Sequence, residues 1–290
     1  MAIWNIRRSG ARPLTPHLEI VARLPARPRL GPPLLFVHGA WHGAWCWEDH
    51  FLSYFANRGF ACYALNLRGH GASEGGRDVR LCRIRDFVED VGEAINQIDG
   101  KPILIGHSLG GFIVQKYLET HEAELGVLMA SVPPNGGARM ARRVMRSQPL
   151  AMLHSHLAFS LRPLFSDAEK VRRLLFTERT PEGVIQDCLA RLQDDVILGV
   201  PDYLFLDLVD PQRITTQMLV FGGAEDRMID AADLAVTAAA YRQEPVVVPE
   251  LGHDMMIDQS WERAAETVAA GIDRHLGAHL GAEIRISNVA

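Results

Sequence analysis

The chain has 290 residues, of which 48% are hydrophobic and 22% charged, and its formal net charge at pH 7 is −5. This length accommodates one large α/β domain with an insertion or two small domains, and the composition is typical of an ordinary globular protein. A net negative charge argues against a nucleic-acid-binding surface. No apolar run reaches the about 18 residues that a membrane-spanning helix needs.

Residues 1–8 lack the continuous apolar core of a signal peptide, which indicates a cytoplasmic protein. The cysteines support the same interpretation, because they show no C-x-x-C spacing and most of them lie in apparent helices or strands. We therefore expect buried free thiols in a reducing compartment rather than disulfides. The four cysteines are Cys46, Cys62, Cys82 and Cys188.

The first half of the chain alternates between strand and helix patterns. Residues 1–16 contain two prolines and predict a loosely held tail. After this tail, apolar runs predict strands and amphipathic stretches predict helices. The strands are expected at residues 18–24, 34–37, 60–65, 103–106 and 125–129, and the helices at about residues 47–57, 81–98 and 109–120. This alternation predicts the α/β class, with a mostly parallel, twisted sheet and helices on both faces.

The alternation stops between residues 133 and 211, where apolar residues recur at helical spacing without strand-like runs. A helical stretch of this length between two strands of a sheet predicts an inserted cap, or lid. Its first half is rich in arginine, which we interpret as a solvated face rather than a ligand site. The predicted organisation is a tail at residues 1–16, a core at residues 17–132 and 212–290, and a cap at residues 133–211.

After the predicted cap, the strand and helix pattern resumes. Strands are expected at residues 218–221 and 245–248, and helices at about residues 231–241 and 261–276. The last dozen residues show little pattern.

The strand at residues 103–106 leads directly into Gly106-His107-Ser108-Leu109-Gly110 and then into a helix. A G-x-S-x-G sequence between a strand and a helix is typical of a nucleophile elbow, a tight turn that exposes the serine hydroxyl. Glycines are favoured there because side chains would collide with the neighbouring strand and helix. Ser108 is therefore a candidate nucleophile.

Other polar residues also follow predicted strand ends, namely His38, Asp226 and His253. Because ligands bind outside the carboxyl ends of the strands in an open parallel sheet, we expect these residues and Ser108 at one rim. A serine needs an adjacent base, a histidine suits that task, and a carboxylate can orient the histidine. The order serine, aspartate, histidine is the one used on α/β-hydrolase scaffolds.

Neighbouring residues offer alternatives for the acid and the base. Glu225 and Asp230 lie close to the candidate acid, Asp226. The candidate base, His253, competes with histidines in loops or beside Ser108, for which structural roles fit better. Those four are His38, His42, His70 and His107, while His154 and His156 of the predicted cap are expected at the surface.

Two motifs carry a resemblance to a known superfamily. Residues 38–47, H-G-A-W-H-G-A-W-C-W, resemble a motif of the plant methylesterase and hydroxynitrile lyase group. Residues 68–73, R-G-H-G-A-S, resemble the R-G-x-G-x-S loop of bacterial esterases, lactonases and lipases. Together with the elbow, these motifs make the chain similar to the α/β-hydrolase superfamily over about residues 18–278, with the cap as the variable insertion.

The resemblance implies a catalytic triad and an oxyanion hole. Ser108 would be the nucleophile, His253 the general base and acid, and Asp226 the acid that orients the histidine. The backbone N–H groups of Ala40 and Leu109 would form the oxyanion hole. Neither a cofactor nor a metal is expected.

Four residues are predicted to line the substrate pocket: Trp41, His107, Met228 and Met256. Packing over the sheet is an equal alternative for Trp41 and the preferred role for Trp45, and methionine is also a common core residue. Because the cap is rich in leucine, phenylalanine and methionine, we expect a small-molecule ester with an apolar acyl or alcohol group.

The residues favour a serine hydrolase that cleaves carboxylic esters through an acyl-enzyme. In the similar hydroxynitrile lyases, a lysine that receives the cyanide charge follows the catalytic histidine, and the oxyanion loop carries a hydroxyl residue. This chain has Asp254 and Gly39 at those two positions, which argues against a lyase. Ser108 at the elbow argues against dehalogenases and epoxide hydrolases, which carry an aspartate there. A cofactor-free haloperoxidase or oxygenase, and a non-enzymatic receptor on a hydrolase fold, remain alternatives.

Overall fold

The computed structural model describes residues 16–28, 31–75 and 79–287, with side chains described as far as residue 278. All but the last residue of the predicted tail lies outside the described residues. The described chain forms a seven-stranded sheet with the order β1-β3-β2-β4-β5-β6-β7. The strands are β1 (Ile20–Arg23), β2 (Leu34–Val37), β3 (Cys62–Leu65), β4 (Ile103–His107), β5 (Leu125–Met129), β6 (Met218–Gly223) and β7 (Val246–Val248).

Only β1 runs antiparallel to its neighbour, and the other described strand pairs are parallel. Every residue of β2, β4 and β5 is buried, as expected for central parallel strands that are covered on both faces. The predicted fold class, a mostly parallel sheet with helices, is confirmed. The carboxyl ends of β2, β4, β6 and β7 therefore lie along one rim of the sheet.

Helices connect the strands and cover the sheet. They are α1 (Trp45–Glu48), α2 (Phe51–Asn57), α3 (Ile84–Ile95), α4 (Leu109–Leu118), α5 (Ala138–Ser147), α6 (Pro149–Ala158), α7 (Ala168–Leu175), α8 (Glu182–Arg191), α9 (Ala231–Ala240) and α10 (Trp261–Ser287). Helix α4 packs against β4, β5 and α3, and nine of its ten residues are buried. The residue that precedes α4 therefore has a firmly held position.

Three helix predictions need correction. The single helix predicted at residues 47–57 is two helices, because His50 leaves the helical conformation and stacks on Trp261 at 4.4 Å between ring centroids. The helix predicted at residues 81–98 is a 3₁₀ turn (Val79–Leu81) followed by α3, which begins after the extended residue Arg83. The last helix does not end near residue 276, because the following residues include good helix formers and α10 continues to Ser287.

Between β5 and β6, residues 133–211 form α5 to α8 and shorter helical turns, and we refer to them as the inserted segment. Its described residues contain no strand. Val171, Ile185 and Cys188 are buried on its inner side. The assignment of this segment as a cap stays a prediction.

The four cysteines lie in the described part of the chain, none of them forms a disulfide, and all but Cys82 are buried. In the described part of the chain, no helix combines the length and the hydropathy that crossing a bilayer requires.

Candidate active site

Ser108 lies between β4 and α4 in an unusual backbone conformation, with φ 51° and ψ −118°. Glycines make this turn possible. A Cβ atom on Gly106 would lie 2.6 Å from the Gly110 carbonyl oxygen, and one on Gly110 would lie 2.3 Å from the His38 carbonyl oxygen. A left-handed conformation at a residue other than glycine costs of order 1–3 kcal/mol and persists only when the surroundings enforce it. The strand and helix therefore hold Ser108 in the geometry of a nucleophile elbow.

A chain of hydrogen bonds joins Ser108 to His253 and Asp226. Ser108 Oγ is 2.9 Å from His253 Nε2, and His253 Nδ1 is 2.8 Å from Asp226 Oδ2. The other oxygen of Asp226 accepts the N–H groups of Met228 and Ile229, at 2.7 and 2.9 Å. Because a carboxylate only accepts, the His253 proton lies on Nδ1 and leaves Nε2 free to accept from the serine hydroxyl.

The environment of His253 raises its pKa above the ordinary value. Burial acts most strongly and favours the neutral ring, but the attraction of Asp226 and its hydrogen bond outweigh burial. The negative charge of Asp254 also raises the pKa of His253. The imidazolium form of His253 is therefore stabilised in place.

The alternative acids and bases lie elsewhere. Glu225 forms an ion pair with Arg179, and Asp230 caps the N-terminus of α9 and pairs with Arg143. Of these carboxylates, only Asp226 contacts His253. The four alternative histidines, His38, His42, His70 and His107, are buried and bind other partners, while His154 and His156 are exposed as expected.

The loop after β2 lies against the elbow. A Cβ atom on Gly39 would lie 3.0 Å from Ser108 Cβ and 2.9 Å from His107 Nδ1, so only the backbone fits there. Leu109 is the first residue of α4, and its N–H therefore has no partner within the helix. Ala40 and Leu109 both line the cavity that contains Ser108 and His253. Both residues therefore lie beside the serine.

This cavity has a free volume of about 30 Å³, which holds one or two waters but not an ester. The predicted pocket residues Trp41, His107 and Met228 line it. Met256 does not, because its side chain is fully buried in the hydrophobic core. Sequence reasoning missed five further lining residues. One is His42 of the motif at residues 38–47, and the others belong to no motif: Val132, Met140, Leu175 and Tyr203.

Among the described residues, two groups of buried side chains have the spacing of metal ligands, and both include Asp254. In one, His42 already binds Asp254 at 2.9 Å, and burial raises the pKa of the Cys188 thiol well above its ordinary value, so that the thiol stays protonated. In the other, His253 Nε2 already faces the Ser108 hydroxyl. Neither group fits a metal without breaking these contacts.

Comparison with known proteins assigns the family. Residues 34–270 match the model of the alpha/beta hydrolase family. The chain belongs to this family. The expected superfamily is thereby confirmed, and the match covers β2 to β7, the elbow and the loop that holds His253.

Named relatives of this α/β-hydrolase include lipases and esterases. A monoacylglycerol lipase from Mycolicibacterium smegmatis is 27% identical over 249 residues, which cover 78% of this chain and 83% of that protein. Methyl jasmonate esterase 1 from Vitis vinifera is 35% identical over 95 residues, but these cover 32% of this chain and only 36% of that protein. The solved structure of an esterase from Exiguobacterium antarcticum matches with a TM-score of 0.68 at 19% identity, over 89% of this chain and 96% of that one. This last likeness shows the fold alone.

Proposed function

We propose that this α/β-hydrolase is a serine hydrolase that cleaves carboxylic esters through a Ser108-His253-Asp226 triad. The observation that carries the proposal is the pair of hydrogen bonds, 2.9 and 2.8 Å long, that joins these three side chains at the elbow. Ester cleavage in general is supported by the lipase and esterase names of the relatives.

In the first half of the reaction, Ser108 Oγ attacks the ester carbonyl carbon while His253 Nε2 takes the hydroxyl proton. The carbonyl oxygen becomes an oxyanion, which accepts hydrogen bonds from the N–H groups of Ala40 and Leu109. The positive end of the α4 dipole adds to this stabilisation. His253 then gives its proton to the leaving alkoxide, and the acyl group stays on Ser108.

In the second half, a water molecule takes the place of the alcohol. His253 removes a proton from that water, which attacks the acyl carbonyl through a second oxyanion. Collapse of this intermediate returns the proton to Ser108 Oγ and releases the carboxylic acid. Asp226 keeps its negative charge throughout and holds the ring in the required tautomer.

The substrate carries an apolar group in this proposal. The lining of the cavity beyond the polar triad is mainly apolar, with Val132, Met140, Leu175 and Met228. Since the cavity is too small for an ester, substrate entry requires residues such as Met140 and Tyr203 of the inserted segment to move aside. No lysine or arginine is among the described residues that line the cavity, which disfavours the lyase alternative that needs a cation for cyanide.

The proposal is tested with the variant Ser108→Ala and a series of p-nitrophenyl esters. We expect this variant to lose activity by about 10⁴-fold or more, because no other group can form the acyl-enzyme. A matched control is Ser131→Ala, since Ser131 is buried behind α4, binds Gln115 and does not line the cavity. Wild-type turnover by a folded Ser108→Ala protein would contradict the proposal.

A further inference from the structure

Two consecutive peptide groups of the loop at residues 39–42 are fixed by side chains. The Gly39–Ala40 peptide carries the Ala40 N–H, and its carbonyl accepts a 2.8 Å hydrogen bond from His38 Nδ1. The next peptide is bound at both ends. Its carbonyl, on Ala40, accepts from His42 Nδ1 at 2.8 Å, and its N–H, on Trp41, donates to Asp195 Oδ2 at 2.7 Å. The direction of the Ala40 N–H is thereby set by its neighbours.

Asp195 comes from the inserted segment, 154 residues beyond Trp41 in the chain, and is almost fully buried. The same stretch binds Trp41 a second time, because the Gln193 N–H donates to the Trp41 carbonyl at 3.0 Å. Trp41 has a φ of 70°, which costs a residue other than glycine of order 1–3 kcal/mol. The two contacts with the inserted segment stabilise this conformation.

Asp254 binds His42, the residue that contacts the carbonyl of the Ala40–Trp41 peptide. Its Oδ2 accepts from His42 Nε2 at 2.9 Å, while its Oδ1 has no hydrogen-bond partner among the described residues. Burial alone would raise the pKa of Asp254, but the facing His42, with His107 and His253, lowers it below the ordinary value. A fully buried carboxylate thus orients the histidine that holds Ala40.

We propose that Asp195 and the His42–Asp254 pair are positioning residues, which keep the Ala40 N–H aimed at the oxyanion that forms on Ser108. This role rests on the proposed function and deepens it. A donor to an oxyanion acts at about 2.7–3.1 Å, so a small rotation of the peptide weakens it. Asp195 belongs to the inserted segment and Asp254 follows His253 in the chain. The two carboxylates therefore contribute to the oxyanion hole without lining the cavity themselves.

Kinetics of p-nitrophenyl acetate hydrolysis test the proposal on the full chain. We expect Asp195→Ala to lower kcat by about 10- to 100-fold and to change KM by less than about threefold, because only the transition state carries the oxyanion. The acidic limb of its pH profile should stay in place, since His253 and Asp226 keep their contact. The isosteric variant Asp195→Asn retains one oxygen for the Trp41 N–H but turns its NH2 group towards the Val196 N–H, so it should recover kcat only in part.

A double variant, His42→Phe with Asp254→Leu, tests the second support. Removing both partners together leaves no unpaired charge in the core, so the protein is expected to fold. Its kcat should also fall by at least about tenfold. The control is Asp90→Asn, which alters a buried carboxylate that binds Arg68 and no residue of the loop. If Asp195→Ala does not fold, the double variant decides the question.

The rate at which a fluorophosphonate labels Ser108 provides a second readout, because its phosphoryl oxygen also needs the oxyanion hole. We expect labelling to slow in proportion to kcat in both variants. Folded variants that keep kcat and labelling at the level of Asp90→Asn would overturn the positioning role. A wild-type protein that is not labelled at all would instead contradict the proposed function.

Discussion

The rim of the sheet and the outer surface of the inserted segment differ in how deeply their side chains are buried. At the rim, Ser108, Asp226 and His253 are at most 7% exposed, and hydrogen bonds of 2.8 and 2.9 Å join their side chains. On α6 of the inserted segment, three leucines are 58 to 80% exposed: Leu150, Leu153 and Leu157. The three residues of the proposed triad follow strand ends and are closely packed, whereas the side chains on the outer surface of the inserted segment have few packing contacts.

The two regions meet at a few contacts. Met140 and Tyr203 close the cavity from the inserted segment, and Asp195 binds the Trp41 N–H. Side chains on the inner side of the segment are therefore packed against the rim, whereas the three leucines on its outer side are exposed to solvent. Variants in the two regions should therefore differ in their effects on activity and stability.

The largest effect is expected at the acid of the proposed triad. Asp226→Asn should lower kcat by about 10⁴-fold, because an amide favours the wrong tautomer of His253. The matched control is Asp230→Asn, which alters the N-cap of α9 and has no contact with His253. Steady-state kinetics of both variants check this prediction, and equal losses in the two would refute the assignment of Asp226.

A pair of glycine variants compares the two regions directly. Gly110→Ala should destabilise the protein by about 1–3 kcal/mol or more, because its Cβ would lie 2.3 and 2.4 Å from the carbonyl oxygens of His38 and Val37. Gly183, near the start of α8, has open space around its Cβ position. There the same change should stabilise the protein by about 0.4–1 kcal/mol.

Urea unfolding of both glycine variants measures the difference. Similar changes in the free energy of unfolding would show that the rim is no more tightly constrained than the inserted segment.

The pH dependence tests the electrostatics of the rim. His253 must be neutral to accept the Ser108 proton, so kcat/KM falls as the pH drops through the pKa of His253. Because Asp226 raises that pKa, the acidic limb should lie above about 6.5, the value of an unperturbed histidine. In Asp226→Asn the residual activity should have its limb at lower pH. An acidic limb below pH 6.5 in the kcat/KM profile of the wild-type protein would argue against the pairing of His253 with Asp226.

The smallest effect is expected on the outer face of α6. Leu153→Ser replaces a side chain that is 58% exposed, and surface substitutions of this kind usually change stability by at most about 0.5 kcal/mol. Hydrolysis of p-nitrophenyl acetate should be unchanged, since Leu153 does not line the cavity. A loss of more than about tenfold would show that this face takes part in the reaction.

The sheet and the arrangement of polar residues at its rim were accessible from the sequence because both depend on local patterns. Apolar runs mark the strands, and the residue after each run is necessarily at a strand end, as for Ser108. The break at His50 was not accessible, because it depends on the distant Trp261. Asp195 and Tyr203 were missed for the same reason, since their positions result from how the inserted segment packs on the core.

The central claim is that Ser108 is the reactive nucleophile. Its most direct test is to incubate the folded protein with a fluorophosphonate probe and to locate the adduct by peptide mass spectrometry. We expect one adduct, on Ser108, that is lost in Ser108→Ala and after unfolding. Absence of an adduct on the folded protein, or an adduct that persists in Ser108→Ala, would contradict the claim.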